Sequence, residues 1–337
     1  MKIILDVMGG DNPPAELIKG AVGALDAISS DIVLVGHESL IRNALASIGA
    51  DADKFVIVHS ESVITMEDGP MTIVQKKKDS SMAKALTLLA DGEGDAVVSC
   101  GNTGALFTGA TLIVRRAKGI RRAAIGTILP YGKGVLVVDS GANVTVTADY
   151  MVNFAHLGSI YMKKMFGLEN PRVAIINNGV ESHKGTPLVI EARELLEADP
   201  NINFVGSVEG SKLPYDVCDV AVSDGFTGNI VLKTSEGMGK YIAECAMNEM
   251  DSLGYPDGEV REALDRVFKR FDTKEYGGAP MLGIARPVMK AHGNSDAHAI
   301  RSALIAAENY ARSMVVEEIV KAAENFKTTV PMKIGGR

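Results

Sequence analysis

Glycines and small polar residues recur in five short turns, each directly after an apolar run. The turns span residues 6–11, 99–104, 139–143, 177–185 and 224–229. Glycine lets a backbone approach a ligand closely, and Asn, Ser and Thr supply neutral hydrogen bonds. One such turn proves little, because glycine commonly serves only to reverse the chain. Five turns in register predict a long crevice that holds a phosphate-sized anion.

Positive groups stand close to these turns. Lys184 follows His183 and precedes Gly185, and His292 follows Lys290 and Ala291 after another apolar run. A lysine beside glycine can hold a phosphate as a point charge, but the same residue fits a solvated loop equally well. Most lone histidines are hydrogen-bonded structural residues. His292 therefore fits either a positive group near the crevice or a structural histidine.

Two further chemistries receive less support. His292, Asp296 and His298 match no strong ligand spacing, so no metal is expected. No cofactor is expected either. Cys100 lies in a candidate turn where a helix N-terminus would lower the pKa of its thiol. Cysteine is often a small buried filler, and that reading is favoured here.

Five basic residues follow the helix that begins in the second turn: Arg115, Arg116, Lys118, Arg121 and Arg122. The dipole of a helix favours cations at its C-terminus, so a solvated helix end accounts for them. The alternative is a docking patch for an acidic protein, one helix length from the crevice.

Bulk properties exclude several classes of protein. The net charge of −7 argues against nucleic acid as the main partner, and three widely spaced cysteines indicate reduced thiols. Asp6 interrupts the first apolar stretch, and no apolar run reaches the length of a membrane span, so a cytoplasmic protein is expected. The first turn lacks a dinucleotide fingerprint, and no P-loop motif occurs.

Short apolar runs alternate with helical patterns, which predicts a doubly wound, mostly parallel α/β sheet. The predicted strands span residues 3–8, 31–36, 55–59, 95–99, 123–129, 134–139, 172–177, 203–205 and 218–223. The clearest helical patterns span 147–166, 186–197, 229–250 and 295–326. We expect a single domain over 1–326, a helical hairpin inserted at about 237–272, and a loose tail over 327–337.

Taken together, the turns resemble the PlsX family of phosphate acyltransferases. Residues 6–11 match its opening motif, and residues 99–106 match its Ser-Ala-Gly-Asn-Thr-Gly-Ala-Leu turn, with Cys100 in place of the usual Ala. Further matches lie at 141–143, 203–210, 224–229, 275–280 and 290–293. The resemblance runs in the expected order from Met1 to about Phe326. Ser140 departs from the apolar residue usual in the family.

The resemblance implies a Rossmann-like fold of the isocitrate and isopropylmalate dehydrogenase type, and usually a homodimer. It implies transfer of a fatty acyl group from acyl carrier protein to inorganic phosphate. The acyl phosphate would feed a membrane glycerol-3-phosphate acyltransferase at the start of phosphatidic acid synthesis. It also implies peripheral contact with the membrane through the hairpin, whose tip carries several acidic residues here.

For that reaction we expect two groups of site residues. Substrate and phosphate binding is assigned to Asp6, Gly9, Gly10, Asp11, Gly101, Asn102, Thr103, Gly104, Asn143 and His183. Catalysis is assigned to Lys184, Asp224, Asn229 and His292. Phosphate is itself the nucleophile, so Lys184 would hold it, Asn229 would meet the oxyanion and His292 would assist the leaving thiol.

Three other functions remain open from the sequence. A phosphotransacetylase-like enzyme would take a coenzyme A thioester instead of the carrier protein. A decarboxylating dehydrogenase of the related fold would need a dinucleotide and a divalent metal. A non-enzymatic scaffold would use the hairpin to bind a membrane surface.

Overall fold

Eleven strands form one sheet in the computed structural model, which describes residues 1–12, 14–255, 258–269, 276–324 and 326. The strands are β1 (Lys2–Asp6), β2 (Asp31–Gly36), β3 (Phe55–His59), β4 (Ala96–Ser99), β5 (Ala124–Leu129), β6 (Val135–Val138), β7 (Arg172–Asn177), β8 (Asn203–Glu209), β9 (Val220–Val222), β10 (Ala279–Leu282) and β11 (Val288–Lys290). Their order across the sheet is β3-β2-β1-β4-β11-β10-β5-β6-β9-β7-β8. The nine predicted strands are confirmed, whereas β10 and β11 are additions and β8 is longer than predicted.

Strand direction reverses in the middle of the sheet. The strands β3, β2, β1, β4 and β11 are mutually parallel, as are β6, β9, β7 and β8. Between these halves, β11 with β10, β10 with β5 and β5 with β6 all pair antiparallel. The carboxyl ends of the two parallel halves therefore lie on opposite edges of the sheet. The mostly parallel α/β fold is confirmed, but the five turns do not share one edge.

Eleven α-helices connect the strands within the described residues. They are α1 (Ala15–Ala24), α2 (Glu38–Ser47), α3 (Thr72–Gln75), α4 (Ser81–Ala90), α5 (Thr103–Gly109), α6 (Ala148–Phe166), α7 (Pro187–Ala198), α8 (Gly225–Ser252), α9 (Glu259–Lys269), α10 (Ala297–Arg312) and α11 (Val315–Ala323). A π-helical turn, Ala110–Val114, extends α5, and two 3-10 turns span Ala52–Lys54 and Gly210–Tyr215. The single helix predicted over 295–326 is wrong, because Met314 adopts a left-handed conformation (φ 58°) that ends α10 before α11 begins.

Among the described residues between α8 and α9 no strand occurs, as predicted. The two helices contact each other through an ion pair of 2.5 Å between Arg261 Nη2 and Asp251 Oδ1. The predicted end of the second arm, the Glu275 part of the 275–280 motif and the tail over 327–337 lie outside the described residues. None of the helices in the described part of the chain combines the length and the apolar composition of a membrane span.

The two faces of the sheet are covered differently. One face carries a continuous apolar core under α1, α2, α6, α7, α10 and α11. The other face carries two separate cores, one under α3, α4 and α5 and one that includes Leu232 of α8. On β5, Ile125 belongs to the first of these cores and Leu129 to the second. Strand alternation places Thr127 on the same face between them, where its hydroxyl bonds that of Ser140 at 2.7 Å.

This hydroxyl pair lies between the two apolar cores of this face of the sheet. The helix α5 and its π extension pack on the first of these cores, and Leu232 of α8 belongs to the second. Residues Gly225 to Glu236 of α8 cover about 17 Å at the usual helical rise. The helix α8 therefore runs from the loop after β9 to His292 in the loop after β11, on the opposite edge of the sheet.

Candidate active site

The loops after β1, β4 and β11 pack against one another and form what we call the three-turn junction, residues 6–11, 99–104 and 290–293. Ser99 Oγ donates to Asp6 Oδ2 at 2.8 Å, and the Asp11 amide donates to the Gly293 carbonyl at 2.7 Å. A Cβ on Gly9 would lie 2.7 Å from the amide nitrogen of Gly101. The glycines here allow backbone-to-backbone packing between loops. Asp6 is fully buried, and that burial raises the pKa of its carboxyl group.

Lys290 places its ammonium group inside this junction. Its Nζ donates to the carbonyl oxygen of Cys100 at 3.1 Å and to that of Ala291. Burial lowers the pKa of Lys290 from 10.5 to about 8. Burial also raises the pKa of the Cys100 thiol to about 11, so this cysteine is a buried filler and not a reactive thiolate.

The lowered pKa of Lys290 predicts a pH-dependent stability difference from Lys290→Met. Between pH 8 and 10.5 the unfolded chain still binds the proton that folded Lys290 has lost, so the wild-type protein gains stability as pH rises. We expect the wild-type free energy of unfolding, relative to the variant, to rise by about 2 kcal/mol from about pH 7 to about pH 9.5. Urea unfolding of both proteins measures this difference. A difference independent of pH would show that the amine titrates like an exposed lysine.

His292 connects the three-turn junction to α8. Its Nε2 lies 3.5 Å from Glu236 Oε1, and Lys233 Nζ lies 2.8 Å from the second oxygen of Glu236. Asp296 accepts a hydrogen bond from the Ala299 amide and caps α10. In the described part of the chain, no group of three or more His, Cys, Asp and Glu residues is arranged to hold a metal ion.

Asn102 fastens a neighbouring loop to the start of α5. Its Oδ1 accepts from the Ala105 amide at 3.0 Å, which caps the helix. Its Nδ2 donates to the carbonyl oxygens of Thr65, Met66 and Asp68 at 3.0 to 3.2 Å. The amide expected to bind phosphate therefore holds the 65–68 loop against the start of α5 in this structure.

Asn102→Asp separates the two tasks of this side chain. The carboxylate keeps the acceptor for the Ala105 amide but sets negative charge against three carbonyl oxygens. We expect a loss of about 2 kcal/mol in the free energy of unfolding and faster proteolytic cleavage in the 65–68 loop. Urea unfolding and limited proteolysis measure both effects, with Asn102→Ala as the comparison that loses the cap as well. Cleavage at the wild-type rate in the Asp variant would contradict the clamp.

A second polar cluster lies at the opposite edge, where the loops after β6 and β9 meet. We call residues 139–143 and 224–229 the Asn143 junction. The buried Asp139 accepts five hydrogen bonds, from the backbone amides of Ile125, Gly141, Ala142 and Asn143 and from Asn143 Nδ2. No expected role was assigned to Asp139, because composition does not distinguish a buried organising carboxylate from an exposed turn residue.

The helix α8 begins at this junction. Asp224 Oδ1 accepts from the amides of Phe226 and Thr227, both at 2.9 Å, and so caps the helix. The Gly225 amide donates to the Asn143 carbonyl at 2.8 Å. Asn229 Nδ2 donates to the Ser140 carbonyl at 3.3 Å, one turn further along α8. Asp224 thus orients donors, and the Asn229 amide lies directly beside the Gly141 turn.

Lys184 and His183 are exposed in the long turn after β7. The Lys184 carbonyl accepts from Asn177 Nδ2 at 3.0 Å, and its amide donates to Glu181 at 3.1 Å. Because β7 runs in the same direction as β9, this turn shares the edge of the Asn143 junction. Lys184 therefore lies on the edge opposite to the Asn102 turn with which it was expected to hold phosphate.

The five basic residues follow the π-helical extension of α5, and Arg122 among them reaches the Asn143 junction. Arg116 Nη1 donates to the Arg121 carbonyl, and Arg121 pairs with Asp149 at 2.8 Å and lies over Tyr150. Arg122 Nε donates to Asn143 Oδ1. All five are exposed: Arg115, Arg116, Lys118, Arg121 and Arg122. Among the five, only Arg122 makes a hydrogen bond to the Asn143 junction within the described residues.

Comparison with solved structures defines the class of fold. A phosphotransacetylase from Streptococcus pyogenes superposes with a TM-score of 0.63 at 17% identity, covering 93% of this chain and 94% of that one. A 4-hydroxythreonine-4-phosphate dehydrogenase from Klebsiella pneumoniae superposes with a TM-score of 0.54 at 14% identity, covering 92% and 100%. The protein thus has the Rossmann-like α/β fold that these enzymes share.

Sequence comparison then places the chain in a family. A family model described as "Fatty acid synthesis protein" matches residues 1–318. The chain is 42% identical to a phosphate acyltransferase of Thermoanaerobacter pseudethanolicus over 331 residues, 97% of this chain and 98% of that one. It is 41% identical to a phosphate acyltransferase of Fusobacterium nucleatum over 330 residues, 96% and 99% of the two chains. The chain belongs to this family, as the PlsX resemblance predicts.

Proposed function

We propose that this chain transfers a fatty acyl group from acyl carrier protein to inorganic phosphate and supplies acyl phosphate for phospholipid synthesis. The observation that carries the proposal is the match to phosphate acyltransferases along nearly the whole chain. In the reaction, a phosphate oxygen bonds the thioester carbonyl carbon and the carbon–sulfur bond breaks. The proton of hydrogen phosphate ends on the carrier sulfur, which leaves as the thiol.

The site supports direct attack by phosphate. Cys100 is buried with a pKa of about 11, so it does not serve as an acyl-accepting thiolate. A carrier thiol has a pKa of about 8.5, so it leaves with little help from a general acid. The protein's task is then to position two substrates and to stabilise the tetrahedral oxyanion.

The acyl transfer itself is assigned to the Asn143 junction. Asn229 Nδ2 makes one hydrogen bond there, to the Ser140 carbonyl, which leaves its second N–H group to meet an oxyanion. Asp224 holds the first turn of α8, and Lys184 supplies positive charge from the same edge of the sheet. His292 lies beside Glu236, about 10 Å along α8 from Asn229, where it would contact another part of the substrate.

The carrier protein is proposed to dock on the basic residues beside this junction. Arg115 and Lys118 are exposed, and the structure gives their side chains no ion pair among the described residues. An acidic carrier would meet these charges beside the Asn143 junction. Its acyl chain would then enter between α5 and α8.

The second half of α8 is proposed as the surface for a homodimer. Met238, Tyr241 and Ile242 are each about half exposed on this helix. Beyond them, the exposed Leu253 and Tyr255 at the turn before α9 would supply a peripheral membrane contact. The protein is otherwise proposed to be cytoplasmic and to form a single domain. Light scattering during gel filtration tests the dimer, and flotation with anionic vesicles tests the membrane contact.

Release of free thiol from a long-chain acyl carrier protein tests the proposed activity. We expect release that depends on phosphate, together with an equal amount of hydroxamate when hydroxylamine traps the acyl phosphate. The matching coenzyme A thioester is the control, and it should react far more slowly. Equal rates with both thioesters would replace the carrier-dependent reaction by a phosphotransacetylase-like one. Flotation without any turnover would favour the scaffold.

A further inference from the structure

A buried chain of hydrogen bonds fixes the direction of Asn143. The side chain is 1% exposed, and its Nδ2 donates to Asp139 Oδ2 at 2.6 Å and to the Ala123 carbonyl at 2.8 Å. A flipped amide would set its oxygen against a carboxylate and a carbonyl. The Asn143 Oδ1 atom must therefore face away from Asp139, and there it accepts from Arg122 Nε.

Arg122 is held at two points. Asn153 Nδ2 donates to its backbone carbonyl at 2.9 Å, and Asn143 binds its Nε. Among the described residues, no carboxylate lies within ion-pair distance of its guanidinium group, and the Nη1 and Nη2 atoms make no hydrogen bond. The neighbouring Arg121 differs, because Asp149 pairs with it at 2.8 Å. The structure therefore orients Arg122 without neutralising it.

Asn143 links the oriented guanidinium to the start of α8. The same Asn143 that binds Arg122 accepts the Gly225 amide through its backbone carbonyl. Asp224 already binds the amides of Phe226 and Thr227, so an anion at this place depends on a side chain for its hydrogen bonds. A guanidinium with free Nη1 and Nη2 presents the fork that matches two oxygens of a phosphate.

We propose that Arg122 binds the phosphate that attacks the thioester, through Nη1 and Nη2, and that Asp139 and Asn143 position it. This inference rests on the proposed function. It removes Arg122 from the residues expected to dock the carrier and leaves that role to Arg115, Arg116, Lys118 and Arg121. Asn229, on the first turns of α8, would then stand next to the bound phosphate at the point of attack.

Arg122→Gln and Arg122→Lys test the proposal, with Arg121→Gln as the matched neighbour. For Arg122→Gln we expect the KM for phosphate to rise about tenfold or more, with the KM for acyl carrier protein within about twofold of wild type. Arg122→Lys should show most of this defect, because a lysine keeps the charge but loses the fork. Arg121→Gln should show the reverse split, with the carrier KM raised and the phosphate KM unchanged.

Three outcomes decide the matter. A raised phosphate KM in both Arg122 variants supports the proposal. A raised carrier KM with a phosphate KM within about twofold of wild type overturns it, and so does wild-type behaviour of both variants. Thermal unfolding checks that the variants are folded. If Arg122→Gln does not fold, the phosphate KM of Arg122→Lys decides the test. If the wild-type enzyme itself shows no phosphate-dependent thiol release, the proposed function fails rather than the role of Arg122.

Discussion

Gly228→Ala is expected to cause the largest loss of stability of any single methyl addition in α8. An added Cβ would lie 2.0 Å from the Asp139 carbonyl oxygen and 2.7 Å from Ser223 Oγ. The first contact is with backbone, so either α8 or the Asn143 junction must move. We expect a loss of about 3 kcal/mol or more in the free energy of unfolding, and an acyl transfer rate reduced about tenfold or more. Urea unfolding and the thiol-release assay measure the two effects.

Gly237→Ala is the matched control in the same helix. A Cβ at Gly237 meets no atom within 4 Å, so the substitution changes only the helical propensity. Alanine is favoured over glycine inside a helix by about 0.5 to 1 kcal/mol, and the control should gain that much stability. If Gly228→Ala were also stabilising, the close packing of α8 on the Asp139 loop would be refuted.

Asp139→Asn is expected to abolish most activity by disorganising the loop that holds Asn143 and Arg122. Three N–H groups converge on Asp139 Oδ1 and two on Oδ2. An Asn side chain must turn an NH2 group toward one of these sets, so at least two buried donors lose their acceptor. We expect a loss of about 2 to 4 kcal/mol in stability and roughly 100-fold in kcat/KM.

The control for this variant is Asp149→Asn, which removes a partner of Arg121 at the surface. Exposed ion pairs contribute about 1 kcal/mol or less, so its stability should stay close to wild type. Steady-state kinetics with phosphate as the varied substrate measure the effect on Asp139→Asn. Activity of Asp139→Asn within about threefold of wild type would show that the buried carboxylate does not organise the site.

Local sequence carried enough information for most of the strands and little about their directions. The nine predicted strands are continuous apolar runs bounded by turn residues, and that signal is local. The strands β10 (Ala279–Leu282) and β11 (Val288–Lys290) were not predicted, because Pro280 argues against a strand at the first and the apolar run before Lys290 was not assigned to a strand. Likewise, the helical periodicity around Met314 does not predict the left-handed residue that separates α10 from α11.

The candidate site was predicted as one row of turns because parallel strands bring their carboxyl ends to one edge. Three antiparallel pairings in the middle of the sheet separate that row into two junctions. These pairings depend on long-range contacts, such as Met281 with Ile125, that no local pattern encodes. The turn residues were identified correctly as polar loops after strands, but their grouping, and the part played by Asp139, required the fold.

The central claim is tested most directly by mass spectrometry of the product. The substrates are acyl carrier protein loaded with a long fatty acyl chain and 18O-labelled phosphate. If phosphate attacks the thioester, all the labelled oxygens of the phosphate should appear in the acyl phosphate, including the oxygen that bridges carbon and phosphorus. The account predicts this product in an amount equal to the thiol released. Thiol release that yields unlabelled fatty acid and no acyl phosphate would contradict it.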